Sequence, residues 1–491
     1  MSVGAGEVRR DKANMSRMWW IGAHGRDLAI AAAALSAAGV AGALVAAGLW
    51  HVALAVAVAV PVVAVVARAP FAGLLIWLLV VPYFLQQVDA HLVIWAFHRL
   101  AIPALLVITV IYDAVGIRRS YLRIRLYDLS LALFLAVGLV NILMLSEAPA
   151  RMLVAFFDQM AIPVMFFWLV RATSPGSRDL RRLATVGAWT IAVQAAVGLL
   201  SWWIPNVLPP QWLARAGERT VGTFGGPGPY TLTLVFFGLL ALHSVMSEQG
   251  TRKRPIMIGA AAIGLVAIVA SLSRGSWLGA GLALLGLAIV YPRKVAGVTA
   301  AVMLLIVALA IGPLAGEISR AEERLGTAQT VQERTITNAA SLRIVADYPL
   351  VGVGYGNFDR FDERYKRRVE EVPLIVGGSS HNTYLNLLAE FGIPSTLLYL
   401  TPPIVLLLLT LRLHRKNPHS RVVDWSLIGI LWLALLDQFV VSNFLEIIHS
   451  SLWATSLWWL TLGLIASMLE RLRHGSNISA SGGDRTAWNV S

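Results

Sequence analysis

The stretch GGSSHNTYLNLLAEFGIP, residues 377–394, separates a long polar segment from an apolar run that continues to about Leu413. Glycines followed by serines ahead of an apolar run predict a helix start, with Ser379 and Ser380 as N-caps. His381 then falls in the first turn, where the positive end of the helix dipole disfavours the protonated imidazole. A neutral imidazole is what a general base requires, so His381 is a candidate base. The alternative is that His381 only marks where a membrane helix leaves the bilayer.

The composition indicates a membrane protein of many helices. Of the 491 residues, 57% are hydrophobic and 14% are charged. Apolar runs of about 18 to 25 residues recur along the chain, and each is long enough to span a bilayer as a helix. We predict an all-α polytopic fold with about 14 transmembrane helices, 12 being the alternative count. The predicted helices cover residues 28–49, 52–67, 71–88, 92–114, 126–145, 152–171, 183–204, 229–247, 256–272, 276–291, 296–313, 382–412, 424–445 and 450–468.

The basic residues predict the orientation of these helices. Arginine and lysine cluster before the first predicted helix and after the fourth, sixth, eighth, tenth, twelfth and last. All of these clusters fall on one side if the helices alternate, and the positive-inside rule makes that side the cytoplasm, with both termini there. The net charge of +13 then reflects topology, so we expect membrane lipids and no nucleic acid as partners.

Five segments follow from this topology. A connection as long as the one after residue 313 is too long to be passive, and its helical patterns predict a small folded cap on the outer face. The polar, Gly- and Ser-rich end of the chain is typical of disorder. The segments are a basic cytoplasmic N terminus (1–26) without a cleaved signal peptide, eleven helices (27–313), a large extracytoplasmic loop (314–380), three helices (381–470) and a disordered cytoplasmic tail (471–491).

Two arginines on the predicted outer face are candidates for binding phosphate. Arg219 opens RTVGTFGGPGPYT, whose glycines let the backbone turn tightly before a helix N terminus that favours anions. Arg274 lies in SLSRGSW, in a short turn between two predicted helices. Arginine at membrane depth is costly unless it reaches water, phosphate or carboxylate, and its guanidinium binds phosphate oxygens in a bidentate manner. The alternative is that both arginines snorkel to lipid headgroups.

Three ionisable residues interrupt otherwise apolar helices, and the topology puts each toward the outer half: Arg99, Asp158 and Asp437. Such residues usually face one another or a wet cavity. They form either the floor of an outward-open polar pocket or structural ion pairs.

Other motifs exclude several function classes. The chain has no cysteine, so disulfides, thiolate metal sites and a cysteine nucleophile are excluded. The ten histidines lack HxxxH or HExxH spacing, so no metal site is expected. Gly352-Val-Gly354-Tyr-Gly356 is like part of a dinucleotide fingerprint but lacks a surrounding βαβ unit, so no nucleotide cofactor is expected.

Four motifs follow one another along the chain: RTVGTFGGPGPYT from Arg219, SLSRGSW around Arg274, DYPLVGVGYGNF at Asp347–Phe358 and HNTYLNLLAEFGI from His381. Together they resemble the O-antigen ligase and polymerase family of bacterial membrane glycosyltransferases. They occur in the family's order, with the long external loop before the histidine motif, and span about residues 215–400. The first 200 residues are similar only in hydropathy.

The resemblance implies a GT-C-like, multi-pass enzyme of the bacterial plasma membrane that uses no metal or cofactor. Its donor would be a polyprenyl (undecaprenyl) pyrophosphate-linked glycan, and its acceptor a hydroxyl on a lipid-linked core, a growing glycan or a protein. Arg219 and Arg274 would hold the pyrophosphate, and His381 would activate the acceptor in an inverting displacement on the outer side. Arg334 takes the place of the family's loop arginine, but Asn338 stands where an aromatic residue is usual. The supporting residues would be Arg334, Asn382, Tyr384, Asp437, Asp158 and Arg99.

A transporter or flippase of a lipid-linked or charged substrate is the alternative function. It would use Arg99, Asp158 and Asp437 as its intramembrane site. The chain shows no internal repeat of the kind found in many transporters, and its long loop with the histidine motif lies on one side only.

Overall fold

The structure, a computed structural model, describes residues 69–85, 92–114, 123–213, 219–247, 253–292, 328–366, 381–420, 422–447 and 451–480. The chain divides into two compact units, residues 1–73 and 74–491. The features below belong to the second unit.

The described residues form helices and contain no strand. The apolar helices are α1 (Pro70–Val80), α2 (Leu92–Ala114), α3 (Leu126–Leu145), α4 (Pro149–Phe156), α5 (Ile162–Thr173), α6 (Ser177–Trp203), α7 (Pro227–Ser247), α8 (Arg254–Ala270) and α9 (Arg274–Val290). They are followed by α10 (Ala328–Asp347), α11 (Phe358–Lys366), α12 (Thr383–Lys416), α13 (Trp425–Ser442) and α14 (Leu452–Ala480). A single π-helical turn, Phe157–Ala161, joins α4 to α5 as one continuous span.

The helix lengths confirm a polytopic membrane protein. Among the described residues, eight helices are long and apolar enough to cross a membrane, and three shorter apolar helices accompany them. The predicted helices at 28–49, 52–67 and 296–313 lie outside the described residues, so the total of 14 stays a prediction. The same holds for the GT-C-like architecture.

Two predicted boundaries differ from the structure. α12 begins at Thr383, after an N-cap at Asn382, so the prediction of serine N-caps was wrong. At the other end of the chain, α14 continues to Ala480, so the predicted disordered tail begins too early. Residues 481–491 lie outside the described part of the chain.

α14 is the central helix of the bundle. Residues 452–470 are all buried, and α5, α7, α12 and α13 pack against α14. Aromatic rings fill the contacts: Trp453 stacks on Trp77 with ring centroids 5.8 Å apart, and Trp459 meets Phe167 edge-on at 5.9 Å. A helix that is apolar all round is stable only when it is surrounded, which is why α14 lies inside.

A buried charge network ties α3, α5 and α14 together near one end. Arg171 on α5 is fully buried and pairs with Asp128 on α3 and, at 2.7 Å, with Glu470 on α14. Tyr127 donates to Glu470 at 2.6 Å, and Trp168 donates to Asp128 at 3.1 Å. Because each charge has a partner, the network can remain ionised among apolar helices.

Candidate functional site

His381 precedes the N terminus of α12 instead of lying in its first turn. Its backbone is left-handed, with φ of 47°, and its side chain is exposed. The next residue, Asn382, is the N-cap, whose side-chain oxygen accepts from the amides of Tyr384 at 3.0 Å and Leu385 at 3.1 Å. The predicted position of His381 within the helix was therefore wrong. The histidine projects from a strained position that a firmly capped helix holds.

The residues after His381 are bonded to the segment that joins α13 to α14, Asn443–Ile447, which we call the α13–α14 connection. Thr383 donates to the carbonyl of Leu445 at 2.9 Å and accepts from the amide of Ile447 at 2.8 Å. Asn386, one turn further on, donates to the carboxylate of Glu446. The start of α12 is thereby fixed in register against this connection.

Arg274 and Arg334 approach the same connection from two other helices. Arg274 is exposed at the first position of α9, and the next residue, Gly275, packs against Phe444. A Cβ at Gly275 would lie 2.9 Å from Phe444, so a side chain there would displace the connection. Arg334, half-buried on α10, has its guanidinium 6.0 Å from the centre of the Phe444 ring, a cation–π distance.

Arg219 begins a tight loop that leads into α7. Thr220 donates to the carbonyl of Ala267 on α8 at 3.4 Å, and the amide of Thr223 donates to Gln194 on α6 at 2.9 Å. Gly222 is left-handed, with φ of 56°, and a Cβ there would overlap Gln194. The glycine is required because the loop both turns and lies flat on α6.

The first turns of α7 and α9 are joined to each other and to the same connection. Thr231 on α7 donates to the hydroxyl of Ser276 on α9 at 2.6 Å. Leu445 lies directly over Gly228, where a Cβ would overlap it. Contacts with the α13–α14 connection thus link the segments that carry Arg219, Arg274, Arg334 and His381, although the four side chains are themselves on separate elements.

The glycine-rich segment DYPLVGVGYGNF docks against a break in α12. Gly392 leaves the helical conformation, with φ of 75° and ψ of 174°, which frees carbonyls of the preceding turn. The amide of Val353 donates to Ala389 at 2.8 Å, and that of Gly354 donates to Glu390 at 3.1 Å. A Cβ at Gly352 would overlap the backbone of Glu390, which explains the glycine. The motif is a structural clamp between the loop and α12.

Asn141 and Tyr355 anchor the same segment from the opposite side. Asn141 on α3 donates to the carbonyl of Val351 at 2.8 Å and accepts from the amide of Tyr355 at 2.9 Å. The Tyr355 hydroxyl donates to Gln159 in the π-helical turn at 2.8 Å. Burial, reinforced by the nearby carboxylates of Glu390, Glu446 and Asp158, raises the pKa of Tyr355 well above its usual value, so its hydroxyl stays a donor.

The three intramembrane ionisable residues separate into a pair and a single group. Arg99 on α2 binds both oxygens of Asp158 in the π-helical turn, at 2.7 to 2.9 Å. This is the ion pair that one alternative predicted. Asp437 is buried on α13, against Gly279 of α9, where a Cβ would overlap its carboxylate. A shared polar pocket for all three stays a prediction.

Tyr384, the last supporting residue, lies in the first turn of α12. Its ring contacts Phe439 of α13, with the centroids 5.1 Å apart. It therefore helps to seat α12 beside the α13–α14 connection.

Sequence reasoning missed the α13–α14 connection and its carboxylate, Glu446. An acidic residue between two strongly apolar helices was the available signal, since such residues are rare at membrane depth and usually have a function or a partner.

A comparison with known protein families matches a region of the chain that overlaps the candidate site. Residues 259–400 match the model of the O-antigen ligase family. The match includes Arg274, Arg334 and His381, while Arg219 lies before it. No curated protein matches the chain significantly. Residues 259–400 of this polytopic membrane protein are thus similar to the O-antigen ligase family.

Proposed function

We propose that this protein transfers a glycan from polyprenyl pyrophosphate to an acceptor hydroxyl, in the assembly of a cell-surface polysaccharide. The reaction takes place on the outer side of the plasma membrane, needs no metal ion and inverts the anomeric centre. The observation that carries the proposal is the meeting of four segments at the α13–α14 connection: those of Arg219, Arg274, Arg334 and His381.

The arginines account for the leaving group. When the anomeric C–O bond of the donor breaks, both electrons remain with the pyrophosphate oxygen, and the developing negative charge must be matched. Arg219 and Arg274 supply permanent positive charges with bidentate geometry. Arg219 begins the loop that leads into α7, Arg274 begins α9, and these two helices are bonded to each other through Thr231 and Ser276. Arg334 provides a third positive charge beside Phe444.

His381 accounts for the nucleophile. Its exposed imidazole accepts the proton of the acceptor hydroxyl while the hydroxyl oxygen forms the new bond to the anomeric carbon. A single displacement from the face opposite the leaving group inverts that carbon. Asn382 caps α12, while Thr383 and Asn386 hold it to the α13–α14 connection, and together they position the histidine. Tyr384, Asp437, Asp158 and Arg99 support the surrounding helices.

Glycan transfer by purified protein tests this role of His381. Wild type, His381→Ala and a control, His419→Ala, are compared in detergent with a polyprenyl-pyrophosphate oligosaccharide, an acceptor glycan and EDTA. His419 is exposed between α12 and α13 and makes a matched histidine control. We expect His381→Ala to lose about 10²- to 10⁴-fold in rate, the usual contribution of a general base, with the control unchanged. Equal rates for all three proteins would exclude His381 as the base.

The cellular location of the accumulated donor separates the transferase from the flippase. A cell that carries His381→Ala should accumulate lipid-linked donor accessible from outside the membrane, because transport precedes the blocked step. Accumulation of donor accessible only from inside would favour transport. Anomeric assignment of the in vitro product by NMR tests inversion, and a retained configuration would contradict the single displacement.

A further inference from the structure

A cavity of about 360 Å³ lies far from the candidate site, at the other end of the bundle. It is bounded by α6, α7, α13 and α14. On α7 its lining begins at Leu240, which is 13 residues from Pro227 and therefore about 20 Å along the helix from the end that contacts the α13–α14 connection. Arg178 and Arg182 on α6 and Arg473 on α14 are close in sequence to lining residues of the cavity and lie at this end.

The mouth of the cavity is polar and contains two arginines. Ser177 and Arg181 come from the first turns of α6, and Ser247 is the last residue of α7. Asp424 is the N-cap of α13, and Arg471 lies near the end of the buried part of α14. Arg471 is half-buried, and the other four residues of the mouth are exposed.

The carboxylate at the mouth is engaged by its neighbours. Asp424 lies 3.4 Å from Nε2 of His243 and accepts from the amides of Ser426 at 2.9 Å and Leu427 at 3.1 Å. Nδ1 of the same histidine is 2.6 Å from the Tyr291 hydroxyl. Asp424 is therefore held at the wall by hydrogen bonds, and its one negative charge stands against the two positive charges of Arg181 and Arg471 at the opening.

The floor of the cavity is apolar. Each of the four helices contributes a leucine that is buried, with at most 5% of its surface exposed: Leu183, Leu240, Leu431 and Leu464. On α7, α13 and α14 the leucine lies seven residues further into the bundle than Ser247, Asp424 and Arg471, which is about 10 Å at 1.5 Å per residue. On α6, Leu183 lies six residues beyond Ser177 and two beyond Arg181.

We propose that this cavity binds one anionic phospholipid, with its phosphate between Arg181 and Arg471 and the start of one acyl chain against the four leucines. Polar helix ends alone are common in membrane bundles. Here, however, the polar helix ends surround a cavity as large as a small-ligand pocket, and its apolar floor suits an acyl chain. Guanidinium groups bind phosphate oxygens in a bidentate manner, and the basic side of a membrane protein faces the leaflet richer in anionic lipid.

Native mass spectrometry of the full-length protein in detergent tests the proposal. The probes are phosphatidylglycerol, phosphatidylcholine, glycerol phosphate and inorganic phosphate, which separate the lipid from its headgroup and from a free anion. The test variant is R181A/R471A. The matched control is R178A/R473A, which removes the same charge from the same two helices at residues that do not line the cavity.

We expect R181A/R471A to bind phosphatidylglycerol about 30-fold more weakly, since each arginine near an anionic surface contributes about a factor of five. The control should stay within about threefold of wild type, and glycerol phosphate should not compete. A second variant, Ser244→Phe, keeps both arginines but fills the cavity, and it should also lose lipid binding.

Three outcomes would contradict the proposal. If both double variants weaken lipid binding equally, the effect comes from general surface charge and not from the cavity. If inorganic phosphate binds as tightly as phosphatidylglycerol, the site binds a free anion and not a lipid. If phosphatidylcholine binds as tightly as phosphatidylglycerol, the arginines do not select anionic lipids. Any of these results overturns the proposal.

Discussion

Replacing Arg171 by methionine should destabilise the protein by about 3 to 5 kcal/mol, the usual cost of breaking a buried ion pair from one side. The expected loss of free energy is this large because of the charges that the substitution leaves unpaired. Arg171 is fully buried and bonded to Asp128 and Glu470, so its loss leaves two carboxylates among apolar helices without their cation. The mean value for a hydrogen bond between membrane helices, about 0.6 kcal/mol, would be far too small for this change.

A triple variant distinguishes uncompensated charge from lost packing. R171M/D128N/E470Q removes the cation and neutralises both carboxylates, so we expect it to recover most of the stability. Arg182→Met is the control, because Arg182 is exposed and its 3.5 Å pair with Asp179 should contribute at most about 1 kcal/mol. Denaturant unfolding in detergent, followed by tryptophan fluorescence, gives the free energies. Equal losses in the single and triple variants would refute the charge argument, as would a loss in Arg171→Met no larger than in the control.

Three further predictions concern the loop and the start of α12. Gly352→Ala should reduce folded yield and transfer, because Gly352 has φ of 68° and no room beside Glu390; Gly281→Ala, at an open position, should not. Asn382→Ala should destabilise the start of α12 by about 0.5 to 2 kcal/mol and lower the transfer rate, whereas Asn382→Asp retains the cap; equal rates in both variants would contradict the capping role. Burial, against the opposing ion pair with Lys366, raises the pKa of Asp362 to about 6, so the folded state binds more protons than the unfolded one between about pH 4 and 6. Hydrogen-exchange protection of α11 should therefore fall as pH rises through that window, and Asp362→Asn should flatten the profile; an unchanged slope in the variant would exclude this carboxyl as the cause.

Hydropathy alone predicted most of the helices because the bilayer imposes one length on every span. The predictions of 92–114 and 126–145 coincide with α2 and α3. The start of α12 was harder to predict from the sequence. Serine and asparagine are both good N-caps, so contacts with the rest of the structure decide which residue begins the helix. Asn382 is the N-cap, and Thr383 directly after it is bonded to Leu445 and Ile447.

The sequence by itself determined that this is a polytopic helical membrane protein, and its motifs pointed to the O-antigen ligase family. It also identified the candidate residues Arg219, Arg274 and His381, since charge in apolar surroundings is visible without a structure. Only the tertiary structure paired Arg99 with Asp158 and brought the motif segments to the α13–α14 connection. The same is true of the cavity between α6, α7, α13 and α14. These features depend on contacts between residues far apart in the chain, and helical periodicity carries no information about which helices become neighbours.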